Sequence, residues 1–191
     1  MAVRPITITG EPVLHEPAAP VTEFDESLRE LVADMFDTMD QAPGVGLAGP
    51  QVGVGLRLFV YSWSDDDGEA WRGVAINPQL WQTPLVPESV DELDDELESE
   101  GCLSIPGERF PLRRADGVLL RAVDIDGEPF EIEAYGWLAR IFQHEYDHLD
   151  GLLYADRVDY PFAKAISKVA KKKGWGVPGN TWMPGLDHPE G

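Results

Sequence analysis

Cysteine is nearly absent: Cys102 stands alone in 191 residues. No disulfide can close within the chain, which suits a reducing cytosol. No window approaches the roughly 18 apolar residues of a membrane span. Residues 1–10 carry no long apolar run of the kind that forms a secretory signal. Basic residues are scarce, with 15 Lys and Arg against 35 Asp and Glu and a formal charge of -20. That balance argues against broad attraction of the surface to nucleic acid and favours solubility. Internal repeats are missing, and histidines number only four, which makes their placement informative. What remains is ordinary for one globular domain: 43% hydrophobic residues and enough chain for a proper core. These features predict a cytoplasmic protein with neither a membrane nor DNA as partner.

Two of the histidines fall in Gln143-His144-Glu145-Tyr146-Asp147-His148-Leu149-Asp150-Gly151. On an α-helix, residues four apart lie one above the other. His144 and His148 can therefore offer two imidazole nitrogens to one metal ion, and Glu145 can reach a water beside it. The spacing predicts a helix here. Leu138, Ile141, Phe142, Glu145 and Leu149 form one stripe, and Trp137, Ile141, His144 and His148 a neighbouring one. Gly151 is placed to cap it in the left-handed conformation. A catalytic metal needs a third protein ligand and an open position. Cys102 is the candidate, since a thiolate with two imidazoles leaves room for water. His15 and His188 lie in proline-rich terminal stretches and are expected to be solvated. Asp147 and Asp150 sit too near on the same helix to close the coordination shell.

The rest of the chain supplies a scaffold. Residues 1–24, with Pro5, Pro12, Pro17 and Pro20, read as extended, surface-wrapping chain. Asp25 is predicted to cap a helix running to about Gln41, with Leu28, Leu31, Val32, Met35, Phe36 and Met39 on its apolar face. Residues 44–53 contain G-x-G-x-x-G. A dinucleotide fingerprint follows a strand and opens a helix; here the order is reversed and Pro50 intervenes, so the glycines instead let backbone pass close to something. Residues 56–63 and 71–77 read as strands around an acidic turn at 64–69. Eight of the thirteen residues at 88–100 are acidic, the pattern of a mobile, solvated loop rather than of an acidic docking surface. Residues 100–106 resume extended chain. Residues 117–125 and 128–135 form a hairpin across Asp126-Gly127, with Phe130, Ile132 and Ala134 alternating with Glu131, Glu133 and Tyr135. A further helix over 160–173 carries Lys164, Lys168, Lys171, Lys172 and Lys173, which either complement the helix dipole or form a local patch for RNA phosphates. Residues 174–191 read as a tail without a core of its own. Strands and helices without regular βαβ spacing point to an α+β fold.

Three stretches occur in a fixed order: Gly44-Val45-Gly46-Leu47-Ala48-Gly49-Pro50-Gln51, Glu100-Gly101-Cys102-Leu103-Ser104 and Gln143-His144-Glu145-Tyr146-Asp147-His148. Together they resemble the three signature motifs of peptide deformylases, and the similarity runs from about Pro5 to about Lys173. Two features depart from the family's pattern. Gly49 stands where alanine is usual, which is expected to loosen the loop that carries Gln51, and the acidic stretch before Glu100 is longer. The resemblance implies small antiparallel β-sheets packed around a central metal-binding helix, with an N-terminal and a C-terminal helix. It implies one catalytic domain over 1–173 and a Gly/Pro-rich tail over 174–191. It also implies removal of the formyl group from N-formylmethionyl nascent peptides, with release of formate.

In the same resemblance, Cys102, His144 and His148 hold one divalent metal, natively Fe2+, with Zn2+, Ni2+ or Co2+ as substitutes. Glu145 is the general base and then the proton donor. Gln51 and the Leu103 backbone N–H stabilise the oxyanion. Gly46 pairs with substrate backbone, and Arg109 contacts the peptide downstream. Val45, Trp137 and Ile141 are candidate walls for the methionine side chain, with Arg140 at the rim. The lysine-bearing helix becomes a candidate docking element for the ribosome. Elementary chemistry supports the central roles: amide hydrolysis at neutral pH calls for an activated water, a proton carrier and preorganised donors. Two rivals stand beside this reading. A zinc peptidase would need a third histidine or acid downstream, where only His188 is on offer. A non-catalytic RNA-binding protein with a structural metal would have no need of Glu145.

Overall fold

One strand, β3 (Leu58–Ser64), shows how the layers arise. Its side chains alternate between two faces, as strand geometry requires. Leu58 and Val60 enter one apolar cluster, while Phe59 and Tyr61 enter another. Both faces are therefore buried, and each is covered by a helix. The computed structural model describes residues 2–65, 68–85 and 98–187. Around β3 runs an antiparallel five-stranded sheet in the order β2 (Gly46–Ala48), β3, β4 (Ala70–Gln82), β7 (Gly117–Val123), β8 (Pro129–Tyr135). Two further ribbons flank it: β5 (Ser99–Cys102) with β6 (Ile105–Pro111), and β1 (Ile6–Thr7) with β9 (Thr181–Trp182). With the three helices described below, the class is α+β.

Helix α1 (Glu26–Gln41) covers the first face. The Asp25 carboxylate accepts the Leu28 N–H at 3.1 Å and caps it. Leu28, Leu31, Val32, Met35 and Met39 are buried, and Phe36 packs partly against them. Helix α2 (Gly136–Leu149) covers the second face through Leu138, Ala139, Ile141 and Phe142. It ends at Gly151, whose φ of 76° is the left-handed cap predicted from sequence. A Cβ there would also lie 2.8 Å from the Glu16 backbone. Helix α3 (Tyr160–Lys173) closes a third, smaller cluster with Leu14, Leu112 and Tyr154 through Ile166. No described helix is long and apolar enough to cross a membrane.

Several expectations need correction. The first 24 residues do more than wrap the surface: Ile6, Ile8, Leu14 and Val21 are buried. The strand expected to end at Asn77 continues to Gln82. Pro78 cannot donate to a ladder, and the register skips from Ile76 to Gln79. Asn77 takes a φ of 50° at that irregularity, and its amide bonds both backbone groups of Val21 at 2.8 Å. The 88–97 part of the acidic stretch lies outside the described residues. Its last member, Glu100, belongs to no solvated loop; it sits in β5 and is 3% exposed. Within 174–191, Trp182 joins the main core rather than standing apart. His15 is exposed, as expected, and its Nε2 accepts the Gly10 N–H at 3.1 Å.

Candidate active site

The last turns of α2 present His144, Glu145 and His148, and β5 delivers Cys102 at its end. Cys102 Sγ lies 3.4 Å from His148 Nε2. One donor atom from each of Cys102, His144 and His148 falls within 4.8 Å of the other two. A soft thiolate and two imidazoles form a set suited to zinc, iron or nickel. His144 Nδ1 is 3.0 Å from Glu100 Oε2. That contact turns the ring and leaves Nε2 as its ligand nitrogen, as second partners of metal-binding histidines do. Burial opposes charge on His144, but Cys102 and Glu100 outweigh it and raise its pKa well above the usual value. Burial lowers the pKa of His148, and the neighbouring His144 adds to the effect.

Glu145 is 4% exposed, and among the described residues its Oε2 has no hydrogen-bond partner. Its carboxylate lies directly against Gly46 of β2; a Cβ at that position would come within 2.7 Å of Glu145 Cδ. Gly46 is thus the residue that makes room for the carboxylate. Burial raises the Glu145 carboxyl to about 7, with the charge of His144 pulling the other way. A cation bound beside it would draw the value down again.

Gln51 sits on a short 3-10 helix, Gly49–Val52, and is 1% exposed. Its Oε1 accepts the Ala48 N–H at 2.8 Å, which fixes the amide plane. The Nε2 end then faces Cys102 Sγ at 3.8 Å and Ser104 Oγ at 3.4 Å. Leu103 lies in the turn between β5 and β6. These groups open onto a cavity of about 430 Å³, which Val45, Gly46, Arg109, Trp137, Ile141 and Glu145 help to line. Of the residues expected to hold the metal, carry the chemistry or contact the peptide, all border this space except His148, which is buried at 1% exposure.

Sequence reasoning missed part of the surroundings. Trp63 stacks on Trp137 with ring centroids 6.0 Å apart and joins the wall. Arg140, expected at the rim, does line the cavity, and what was missed is that its Nη1 donates to Glu100 Oε1 at 2.8 Å and to the Leu112 carbonyl at 2.6 Å. Arg114 grips Glu100 with two nitrogens at 2.8 and 2.9 Å and reaches Asp147 at 2.6 Å. Asp147 in turn holds Arg157 at 2.6 and 2.7 Å. Burial opposes charge on Glu100, yet Arg114 and His144 hold its carboxyl well below the usual carboxylate range. Adjacency to Gly101-Cys102 was the one available signal for Glu100; Arg114 had none.

Comparison with known proteins places the whole chain beside one family. The model of the polypeptide deformylase family matches residues 3–162. The chain is 50% identical to the peptide deformylase of Mycolicibacterium paratuberculosis, across 97% of this chain and 96% of that protein. It is 49% identical to that of Tropheryma whipplei, across 95% and 94%. The crystal structure of a peptide deformylase from Legionella pneumophila superimposes with a TM-score of 0.74 at 39% identity, covering 91% of this chain and 96% of that one.

Gly49 turns out to tighten its loop, where the sequence led us to expect loosening. A Cβ there would lie 2.7 Å from the Leu56 carbonyl oxygen and 3.0 Å from that of Val54. The missing side chain lets the 54–56 segment close over the helix that carries Gln51. Gly49→Ala should therefore destabilise by about 1–3 kcal/mol, as overpacking does. Urea unfolding measures it, and an unchanged midpoint would mean that the segment yields freely.

Proposed function

The chain belongs to the polypeptide deformylase family, and on that premise we propose that it hydrolyses the formyl group from N-terminal formylmethionine of new polypeptides, through the residues around Cys102. One observation carries the assignment of roles: three donors of metal-binding type lie within 4.8 Å of one another, beside a buried carboxylate with an unpartnered oxygen. Cys102, His144 and His148 would hold one divalent metal, Fe2+ natively, with Zn2+, Ni2+ or Co2+ as substitutes. Such a cation supplies Lewis acidity, strengthening water as a nucleophile and polarising the formyl carbonyl.

The remaining work falls to side chains and backbone. Glu145 takes the proton of the attacking water and later returns it to the departing amine. Its weak competition from other donors suits a base that works near neutral pH. Negative charge growing on the former carbonyl oxygen is met by Gln51 Nε2 and the Leu103 backbone N–H. Gly46 bonds the substrate backbone, and Arg109 meets the peptide downstream. Val45, Trp137 and Ile141 receive the methionine side chain, with Trp63 extending that wall. A formyl carbon is small, so a narrow site excludes acetylated chains by shape. The five lysines of α3 are exposed, which suits dipole complementation and a docking patch alike; in the docking reading they give the enzyme a basic face for ribosomal RNA on an otherwise acidic surface.

An anaerobic assay of formate release from a formyl-Met tripeptide, with metal content measured on the same sample, tests the reaction. Glu145→Gln should keep its metal and lower kcat at least about 100-fold; a nearly active variant would remove Glu145 from the chemistry. The iron-loaded enzyme should lose activity in air while the nickel-loaded enzyme keeps it, and equal sensitivity would count against iron with a thiolate ligand. Changing Lys164, Lys168, Lys171, Lys172 and Lys173 to glutamate should abolish co-sedimentation with ribosomes. If the variant pelleted as the parent does, the docking idea would be abandoned.

A further inference from the structure

The turn that holds Leu103 has neighbours from both ends of the chain. The Trp182 indole N–H donates to the Leu103 carbonyl at 2.8 Å. The Thr9 N–H donates to the next carbonyl, that of Ser104, at 2.9 Å. The two donors belong to one ribbon. Ile6 pairs with Trp182 and Thr7 with Thr181, and beyond them Ile8 N–H meets the Asn180 carbonyl at 3.0 Å. Trp182 is 7% exposed and packs in the main cluster, against which the Leu103 side chain also rests.

We infer that Trp182 is a positioning residue for the hydrolysis: by holding the Leu103 carbonyl it sets the direction of the Leu103 backbone N–H. This rests on the reading of that N–H as an oxyanion donor. Peptide units are planar, so a short segment is fixed when the units at its two ends are fixed. On one side β5 holds Cys102. On the other, the indole holds the Leu103 carbonyl. The N–H between them has little freedom left. Trp is suited to the task because its nitrogen can only donate, so the bond cannot reverse, and its bulk anchors it in the core. The segment after residue 173 thereby becomes part of the working site.

The test compares Trp182→Phe, which keeps an aromatic ring and removes the donor, with Ile6→Val in the same ribbon. Both should lower the unfolding temperature. Only Trp182→Phe should lower kcat, by about tenfold, a fraction of what complete loss of an oxyanion donor costs. Its KM should stay within about twofold and its metal content unchanged, since the interaction acts in the transition state. Should Trp182→Phe fail to fold, benzothienylalanine at 182 keeps the shape without the N–H and is read in the same way. Wild-type kcat in the donor-less protein would overturn the inference, and so would an equal loss of kcat in Ile6→Val. Formate release by the wild-type chain reports separately on the proposed reaction, so the two ideas fail in different measurements.

Discussion

The buried Glu100 carboxylate joins the parts of the chain on which the site depends. It lies on β5, two residues before Cys102. Its three partners come from elsewhere: Arg114 from the connection between β6 and β7, and Arg140 and His144 from α2. An isolated buried carboxylate would cost several kcal/mol. Here the three donors converge on two oxygens at 2.8 to 3.0 Å, and the group stays charged. The arrangement locks α2 to β5, and so His144 to Cys102. Asp147, one turn along α2, extends the same lock through Arg114 and Arg157. Buried ion networks often contribute little net stability compared with apolar packing of the same volume. Their use here is to fix the mutual orientation of two elements far apart in sequence.

How much of this was legible depends on whether the signal was local. The two covering helices were. Their apolar stripes repeat every three or four residues, and their ends carry Asp25 and Gly151, which act within a turn. The β7–β8 hairpin was legible for the same reason, through Asp126-Gly127 and strict alternation. Strand β2 was not. Its three residues sit in a glycine-rich run with no strand propensity, and their extended form comes from pairing Gly46, Leu47 and Ala48 with Tyr61, Val60 and Phe59. The terminal ribbon was hidden too, because β1 and β9 are short and lie at opposite ends of the chain. Composition misled at Glu100. An acidic run reads as solvated when averaged, and it is Arg114, Arg140 and His144, outside that run, that make its last member an interior residue.

Space, as much as side-chain chemistry, defines the site. Gly46 and Gly49 were read from sequence as points of close backbone approach, and each has an identifiable visitor: the Glu145 carboxylate at Gly46, the carbonyls of Val54 and Leu56 at Gly49. The glycine-rich stretch is therefore a surface moulded on two sides. On one side no Cβ intervenes between β2 and α2, so the Glu145 carboxylate lies against the Gly46 backbone. The other side lets a turn pack down on Gln51. A nucleotide-binding loop would use its glycines toward an outside ligand; these are used toward the protein itself.

Two glutamates, Glu100 and Glu145, show how burial acquires different meanings. They are 3% and 4% exposed, so desolvation pushes both carboxyls in the same upward direction. Glu100 is surrounded by cationic donors and ends well below the usual range. Glu145 has an oxygen with no partner and ends at about 7. The first is thereby a permanent anion, fit to orient an imidazole and unfit to exchange protons. The second has no cationic donor on it, so burial raises its carboxyl and a cation beside it would lower it again, which leaves the group responsive to what binds there. Leaving a buried oxygen unpaired costs about 1–3 kcal/mol, a cost that the apolar clusters on both faces of the sheet can offset. An arginine on that oxygen, as on Glu100, would hold the carboxyl as a permanent anion, so the unpaired oxygen is what separates the behaviour of the two glutamates.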